Sequence, residues 1–326
     1  MSKFKKIFTA LAAFVCSAIF LTGCGGQQSD NTPKEHFLHI ATGNTSGTYY
    51  PIGGAISEIL NSKIDKMHSS VQATSGSIAN VKLLNDGTVE LAIVQNDIAH
   101  YAVNGSEMFK DENKYKFENL RGIASLYPES CQFVVNAAAD INSIADLRGK
   151  KVSVGVEGSG AEANARQILE IYGLTYSDIE PMYLSFSAGS QALKDGKIDA
   201  AFLTAGAPTA AVKDVAAQIQ IKILSIDDEH LKALTAKYPF YTRNIIAKGT
   251  YNDLDEDVAT VSVMAILACN SDKVDANLGY QITKTIFENL DTLKTSHAVL
   301  ADLDKSKAQE NMTLKFNEGA EKFFKE

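Results

Sequence analysis

Five short stretches of this sequence carry residue types that hold a small polar molecule through backbone amides and hydroxyls. They are Asn44-Thr45-Ser46-Gly47-Thr48-Tyr49, Ser75-Gly76-Ser77, Gln95-Asn96-Asp97, Glu157-Gly158-Ser159-Gly160-Ala161 and Thr204-Ala205-Gly206. Glycine lets a backbone N–H approach a ligand closely, and where such a stretch opens a helix the first amides have no carbonyl to bond and carry partial positive charge. A ligand carboxylate is expected on the amides and hydroxyls of Ser75, Gly76 and Ser77, or on those of Ser159 and Gly160; the plainer role of each serine is a helix N-cap. Ser46, Gly47, Thr48 and Thr204 extend the donor set. Tyr49 or Tyr50 walls the ligand and donates a hydrogen bond, with Tyr49 preferred. Asn80, one turn into its helix, either reaches the ligand or braces the loop, and Gln95 directly follows a strand. Tyr127 and Glu129 act at a hinge or in a cleft. For a ligand with an ammonium group, Asp97, Glu129 and Glu157 are the counter-charges; a ligand with carboxylates alone would be repelled by them. Arg166 is the one arginine placed within reach of the site, while Arg148 reads as a surface turn and Arg121 as a strand brace. The six His residues have no metal-ligand spacing, and a phosphate loop, a zinc-protease motif and a nucleophile elbow are all missing. No metal, cofactor or catalytic residue is expected, and the protein reads as a binder and not an enzyme.

Elements that could aim these stretches alternate along the chain. Strands are expected at 38–41, 71–74 and 90–94, with helices at 51–60, at 77–84 capped by its serines, and from 98 onward. The pattern restarts with a strand at 152–155, a helix at 161–172 and strands at 182–184 and 200–203. Strands separated by single helices imply βαβ units and mostly parallel sheets, so the fold class is α/β. The apolar residues of 282–293 read as core. Residues 84–94 (LNDGTVELAIV) match 193–203 (LKDGKIDAAFL) in chemical type at nearly every position, 109 residues apart, and Ser46 and Ser159 before their helices lie 113 apart. The chain thus contains one lobe twice.

The first residues describe a different segment. Lys3, Lys5 and Lys6 precede an apolar run from Ile7 to Leu21 that is too short to span a bilayer, and Leu21-Thr22-Gly23-Cys24 looks like a bacterial lipobox. Cleavage before Cys24 leaves 303 of the 326 residues and removes three lysines, moving the net charge from −8 to −11. Residues 24–35 are small and polar, a flexible tether between lipid and domain. A chain this acidic is no partner for nucleic acid. Cys16 leaves with the signal and Cys24 takes the lipid, so Cys131 and Cys269 remain, either as one disulfide between neighbouring strands or as two buried thiols.

Two α/β lobes on an exported, anchored chain point to a receptor that closes around a small ligand. The sequence is similar to the TAXI family of TRAP-transporter solute receptors. The likeness rests on Ser46 to Gly54, Ser75 to Asn80, Leu126-Tyr127-Pro128-Glu129, Asp146-Leu147-Arg148-Gly149-Lys150, Gly155 to Gly160, Tyr238-Pro239-Phe240-Tyr241 with Gly249-Thr250-Tyr251, and Gly319 to Glu326. The family would have His-Pro where Asn317-Glu318 stands, a change confined to a terminal turn. The resemblance implies a type II periplasmic-binding-protein fold, two doubly wound lobes joined by a two-strand hinge, that delivers its solute to a TRAP permease. The lobes are expected at 36–130 with 265–326, and at 131–264. The expected ligand is a small anionic or zwitterionic solute (a glutamate-like amino acid, a dicarboxylate or a 2-oxo acid), bound by a monomer outside the bacterial cell membrane. A receptor of an ABC transporter, or a ligand sensor of the same fold, is the alternative.

Overall fold

The structure, a computed structural model, describes residues 35–110, 117–252 and 254–326. The signal segment, Cys24 and all but the last residue of the tether lie outside the described residues. The chain starts with β1 (His36–Ala41), α1 (Tyr49–Lys63), β2 (Met67–Gln72), α2 (Ser77–Asn85), β3 (Leu91–Gln95) and α3 (Asn96–Asn104). β1 lies between β2 and β3 and pairs with both in parallel. After the long β4 (Leu120–Asn136) the order recurs as β5 (Lys151–Ser153), α4 (Gly160–Ile171), β6 (Glu180–Met182), α5 (Phe186–Lys194), β7 (Ala200–Ala205) and α6 (Ala210–Ala216). Here β5 lies between β6 and β7, again in parallel. β8 (Ile221–Leu224), α7 (Asp228–Lys237), β9 (Thr242–Ile246), β10 (Val258–Asn270), α8 (Ala276–Glu288), α9 (Leu290–Lys294) and α10 (Glu318–Lys325) complete the chain.

The 10-stranded sheet runs β2-β1-β3-β10-β4-β7-β5-β6, with β8 on β4 and β9 on β10. Two parallel halves therefore meet through two antiparallel strands, the expected two-lobed α/β architecture. β4 pairs with β10 from Leu120 to Ser130 and with β7 from Ser130 to Val135. β10 pairs with β9 from Val258 to Ser262 and with β3 from Ala265 to Cys269. β3 and β7 are buried throughout, as strands covered by helices on both faces must be. The first lobe packs Ile40, Ile52, Ile56 and Leu60 with Leu267, Ile282 and Ile286 on one face, and Val81, Leu84 and Ile98 on the other. The second packs Phe133, Ile168 and Phe202 on one face and Leu193, Leu203 and Val212 on the other.

Local chemistry sets the helix starts. α1 begins two residues before Pro51, whose missing N–H has no partner to lose in a first turn. α2 is not capped by a serine, as the sequence led us to expect: its N-cap is Gly76, at φ +121°, with no side-chain bond. α3 follows β3 without a turn, so Asn96 and Asp97 are helical.

The repeat is real at the level of single hydrogen bonds. Asp86 and Asp195 end α2 and α5 at the same φ of −76°, and Gly87 and Gly196 follow in the left-handed region at +67° and +65°. The amides of Thr88 and Lys197 then reach back to the carbonyls of Leu83 and Ala192, at 3.0 and 2.8 Å. The acidic residue that ends each turn has a matching task. Glu90 Oε2 accepts the amide of His39 in β1 at 2.7 Å, and Asp199 Oδ2 accepts that of Lys151 in β5 at 2.7 Å. Each carboxylate ties its turn to the neighbouring parallel strand.

Of the two states open to Cys131 and Cys269, the structure has the two buried free thiols and not the bridge. β4 and β10 do lie side by side, but Ser130 stands opposite Ser262. Antiparallel register then leaves Cys131 and Cys269 about eight residues, roughly 26 Å, apart along the strands, far beyond the roughly 7 Å that a disulfide spans between Cα atoms. Burial raises both thiols, Cys269 to about 12.

Replacing Asp199 by alanine removes the acceptor of the Lys151 amide. We expect a loss of about 1–2 kcal/mol in urea unfolding at unchanged m-value, with Asp199→Asn recovering part of it. An unchanged midpoint for Asp199→Ala would show that the clasp contributes nothing.

Candidate binding site

Between the two lobes lies a narrow pocket open to solvent. The starts of four helices face it: Thr48 and Tyr49 of α1, Gly76 and Ser77 of α2, Ser159, Gly160 and Ala161 at α4, and Ser185 and Phe186 at α5. Gln95 ends β3 beside it, Glu129 reaches it from β4, and Thr204 and Ala205 end β7 there. Carboxyl ends of strands and amino ends of helices meet in this way wherever open α/β sheets hold ligands. The first amides of each helix have no carbonyl one turn back, so the cavity wall is electropositive without a cation. Among the described residues, no Lys, Arg or His lines it.

One chain of donors organises the floor. The Gln95 amide donates to Ser77 Oγ at 3.0 Å, Ser77 Oγ lies 3.3 Å from the Tyr49 hydroxyl, and that hydroxyl donates to Glu129 Oε2 at 2.8 Å. Ser77 is therefore a relay and not the cap of its own helix. Burial pushes the Glu129 carboxyl well above the carboxylate range, against the lowering pull of the Tyr49 hydroxyl, and the nearby Asp97 charge pushes it further. Burial likewise raises the Tyr49 phenol. Gln95 Oε1 is buried without a partner.

The sequence-derived residues separate clearly. Gly47, Thr48, Tyr49, Ser75, Gly76, Ser77, Gln95, Glu129, Ser159, Gly160 and Thr204 all line the cavity. Ser159 is in addition the N-cap of α4, accepting the Glu162 amide at 3.1 Å. Tyr50 does not line the cavity. Neither does Ser46, whose amide and hydroxyl both donate to Asn44 Oδ1, at 3.0 and 2.6 Å. Asn80 is a brace: its Nδ2 donates to the carbonyls of Thr42 and Ile93 at 2.6 and 2.8 Å. Tyr127 is buried in the first lobe's core, Asp97 is buried outside the lining, and Glu157 is exposed. Arg166 stays outside the lining, 4.0 Å from Glu162 on its own helix. Arg148 bonds Asp178 at the surface, and Arg121 donates to the carbonyls of Glu118 and Leu120.

Ser185 and Phe186 were missed by residue type, although the repeat itself points to them: the 109-residue offset carries Gly76 and Ser77 onto Ser185 and Phe186. The Phe186 ring comes so close to Gly47 that a Cβ there would lie 3.4 Å from it. The lobes also meet through hydrogen bonds around the cavity. Thr48 Oγ1 donates to the Gly206 carbonyl at 3.1 Å, the Ala211 amide to Ser46 at 3.2 Å and the Ala79 amide to Gly158 at 3.3 Å.

The model of the NMT1-like family matches residues 40–326. Several solved structures share the architecture. PhnD1 of Prochlorococcus marinus (MIT 9301), solved with methylphosphonate, is 13% identical at a TM-score of 0.54, covering 81% of this chain and 90% of its own. A protein of Bordetella bronchiseptica RB50 is 17% identical at 0.52, covering 87% and 84%. A structure from work on glutathione import in Streptococcus mutans through GshT and the cystine ABC importer TcyBC is 13% identical at 0.50, covering 82% and 96%. At such identities the likeness establishes the fold alone, the type II periplasmic-binding-protein architecture.

The matches overturn the resemblance to TAXI receptors and, with it, the TRAP permease as partner. The family model over the body of the chain is the NMT1-like one, and the importer named with a matched structure is of the ABC class. The motifs behind that resemblance are turn and helix-start chemistry. Asp146 to Lys150, for instance, closes a short 3₁₀ turn through Gly149 at φ +74°. Such chemistry fixes the lobes and leaves the membrane partner unspecified.

Asp97 supplies a test of the site's electrostatics. Burial lifts its carboxyl from 3.8 to about 6, so the unfolded chain ionises first. Stability then falls as pH rises from 4 to 6, with a cost of about 3 kcal/mol present in full above pH 6. Asp97→Asn should stabilise the protein by up to that amount at pH 7.5, with the gain vanishing near pH 4. Equal unfolding free energies of the two proteins at pH 7.5 would contradict it.

Proposed function

The chain belongs to the NMT1-like family, and we propose that it is an extracytoplasmic solute-binding receptor serving an ABC-type importer. One observation carries the reading: four helix starts and the buried Glu129 face one cavity between two lobes whose sheets β4 and β10 connect. A small ligand touching both lobes stabilises the closed form in proportion to its extra contacts there, and an importer can recognise that form. The ABC class of importer is carried over from the system named with the S. mutans structure.

The wall chemistry narrows the solute to a small carboxylate or amino acid. A carboxylate is neutralised by the amides of α2 or α4. An ammonium group finds Glu129 and the free Gln95 Oε1. Of the three acidic groups considered from sequence, Glu129 alone lines the cavity, so a glutamate-like amino acid fits better than a dicarboxylate. The latter sets a second acid beside Glu129, whose carboxyl burial already holds well above the carboxylate range. The lobes are residues 36–130 with 265–326, and 131–264. Cys24 carries the lipid after loss of residues 1–23, residues 24–35 form the tether, and the receptor acts as a monomer.

A thermal-shift panel of L-glutamate, L-glutamine, succinate and 2-oxoglutarate tests the cavity. A solute at 100 times its dissociation constant stabilises by about 2.7 kcal/mol, and the amino acids should raise Tm at pH 7.5 while succinate does not. Glu129→Gln should weaken amino-acid binding by about tenfold or more. No shift with any of the four sinks this ligand assignment; equal shifts for succinate and L-glutamate sink the ammonium pairing alone. For the anchor, Cys24→Ala should move the protein out of the membrane fraction, and persistence there would exclude lipidation at this residue.

A further inference from the structure

Next to the cavity the lobes are joined by a buried polar network of which the solute reading uses Gln95 and nothing else. Asn164 of α4 is 0% exposed and stands at its centre. Its Oδ1 accepts from Gln95 Nε2 at 2.9 Å, and its Nδ2 donates to Asp97 Oδ2 at 2.9 Å and to the Tyr241 hydroxyl at 2.7 Å. The hydroxyl of Tyr241 donates on to Gln167 Oε1 at 2.7 Å, and Gln167 Nε2 donates to the Tyr101 hydroxyl at 3.3 Å. Gln95, Asp97 and Tyr101 belong to the first lobe; Asn164, Gln167 and Tyr241 belong to the second.

Only one orientation of Asn164 suits these partners. A carboxylate accepts and does not donate, so Nδ2 must face Asp97 and Oδ1 must face the Gln95 amide. Apolar contacts close the same seam. Ala163, next to Asn164, is buried in the cluster of Ile98, Ala99 and Ala102, and the Phe240 ring packs on His100 and Tyr101 at centroid distances of 4.7 and 5.6 Å. Gln95 connects this seam to the cavity, which it lines.

We propose that Asn164 is the latch of lobe closure, a positioning residue that sets how firmly the lobes hold together without touching the solute. The inference rests on reading the cavity as a cleft that opens and closes. Opening exposes Asn164, Asp97 and Gln95 to water, and closing exchanges that water for a fixed set of directed bonds. Because buried polar groups lose heavily when one partner is removed, the closed state is sensitive to a single atom here. In Asn164→Asp an acceptor replaces the donor that faces Asp97, and two carboxylates meet in a buried seam. In Asp97→Asn combined with Asn164→Asp the donor and acceptor are exchanged, and the bond is restored with its direction reversed.

Hydrogen exchange of the solute-free protein at pH 7.5 reads the latch directly, because the amides of Ala79 and Ala211 bond carbonyls of the opposite lobe. Asn164→Asp should speed exchange at both by about tenfold or more, while the amides of β3 and β7 keep their protection. The double variant should bring Ala79 and Ala211 back to within about threefold of the parent. Unchanged exchange at these amides in Asn164→Asp, or a double variant no better than the single one, overturns the proposal. Should Asn164→Asp also strip protection from β3 and β7, Tyr241→Phe takes its place. It deletes one hydroxyl and is expected to speed the same two amides by roughly threefold; no change there is equally fatal. Since no solute is present, these results stand apart from the ligand panel. A panel in which nothing binds removes the ligand assignment, and only the exchange data decide the latch.

Discussion

A carboxyl group held inside a cavity that no cation among the described residues lines governs the rest of this structure. Glu129 is 2% exposed, and removing such a group from water is costly unless something replaces the water's dipoles. What faces it is the hydroxyl of Tyr49, with helix starts around them. Four helices begin at the cavity, and the line from the Gln95 amide through Ser77 and Tyr49 ends on the carboxylate itself. To bring those helix starts together, each lobe must place strand ends and helix starts on the same side of its sheet. A right-handed βαβ unit does this without further instruction. The site is thus a product of the topology, with a few side chains deciding its polarity.

The same constraint explains how an acidic protein can attract a carboxylate. The chain's net charge is −8, so its long-range field opposes an anion, and attraction has to act over a helix turn or less. Such donors are fixed in place by the helices they open and need no reorganisation on binding. The polar side chains nearest them are mostly engaged in holding one another. Asn80 ties the first lobe's strands, Thr48 reaches the opposite lobe, and Ser159 caps α4.

Much of the fold was legible because the sequence states it twice. An Asp-Gly turn after a helix is commonplace alone, but two such turns 109 residues apart, each followed by an acidic residue and a small-apolar strand, identify a repeated unit. The structure shows why the acid belongs to it, since Glu90 and Asp199 each hold the amide of an adjacent strand. The cavity-lining serines and glycines were legible because helix starts demand those residue types. Three things were not. Register is set by long-range pairing that local patterning does not encode, so neighbouring strands were foreseen while Cys131 and Cys269 stayed open between a bridge and two buried thiols. Phe186 gave no signal as a polar site residue because it contributes an apolar wall. The membrane partner left no trace in motifs that serve only turns and helix starts.

The position of β10 in the sheet also bears on when this protein can become folded. β3, with the run Leu91-Ala92-Ile93-Val94, has β1 on one side and β10 on the other, and β10 lies more than 160 residues further along the chain. Until it arrives, the first lobe is a three-stranded sheet with a bare apolar edge, open to pairing with other chains. Neither half can finish on its own, and the closing contacts are among the most distant in sequence, which makes for slow assembly. A chain built in this way cannot complete its first sheet until its last strand has been made.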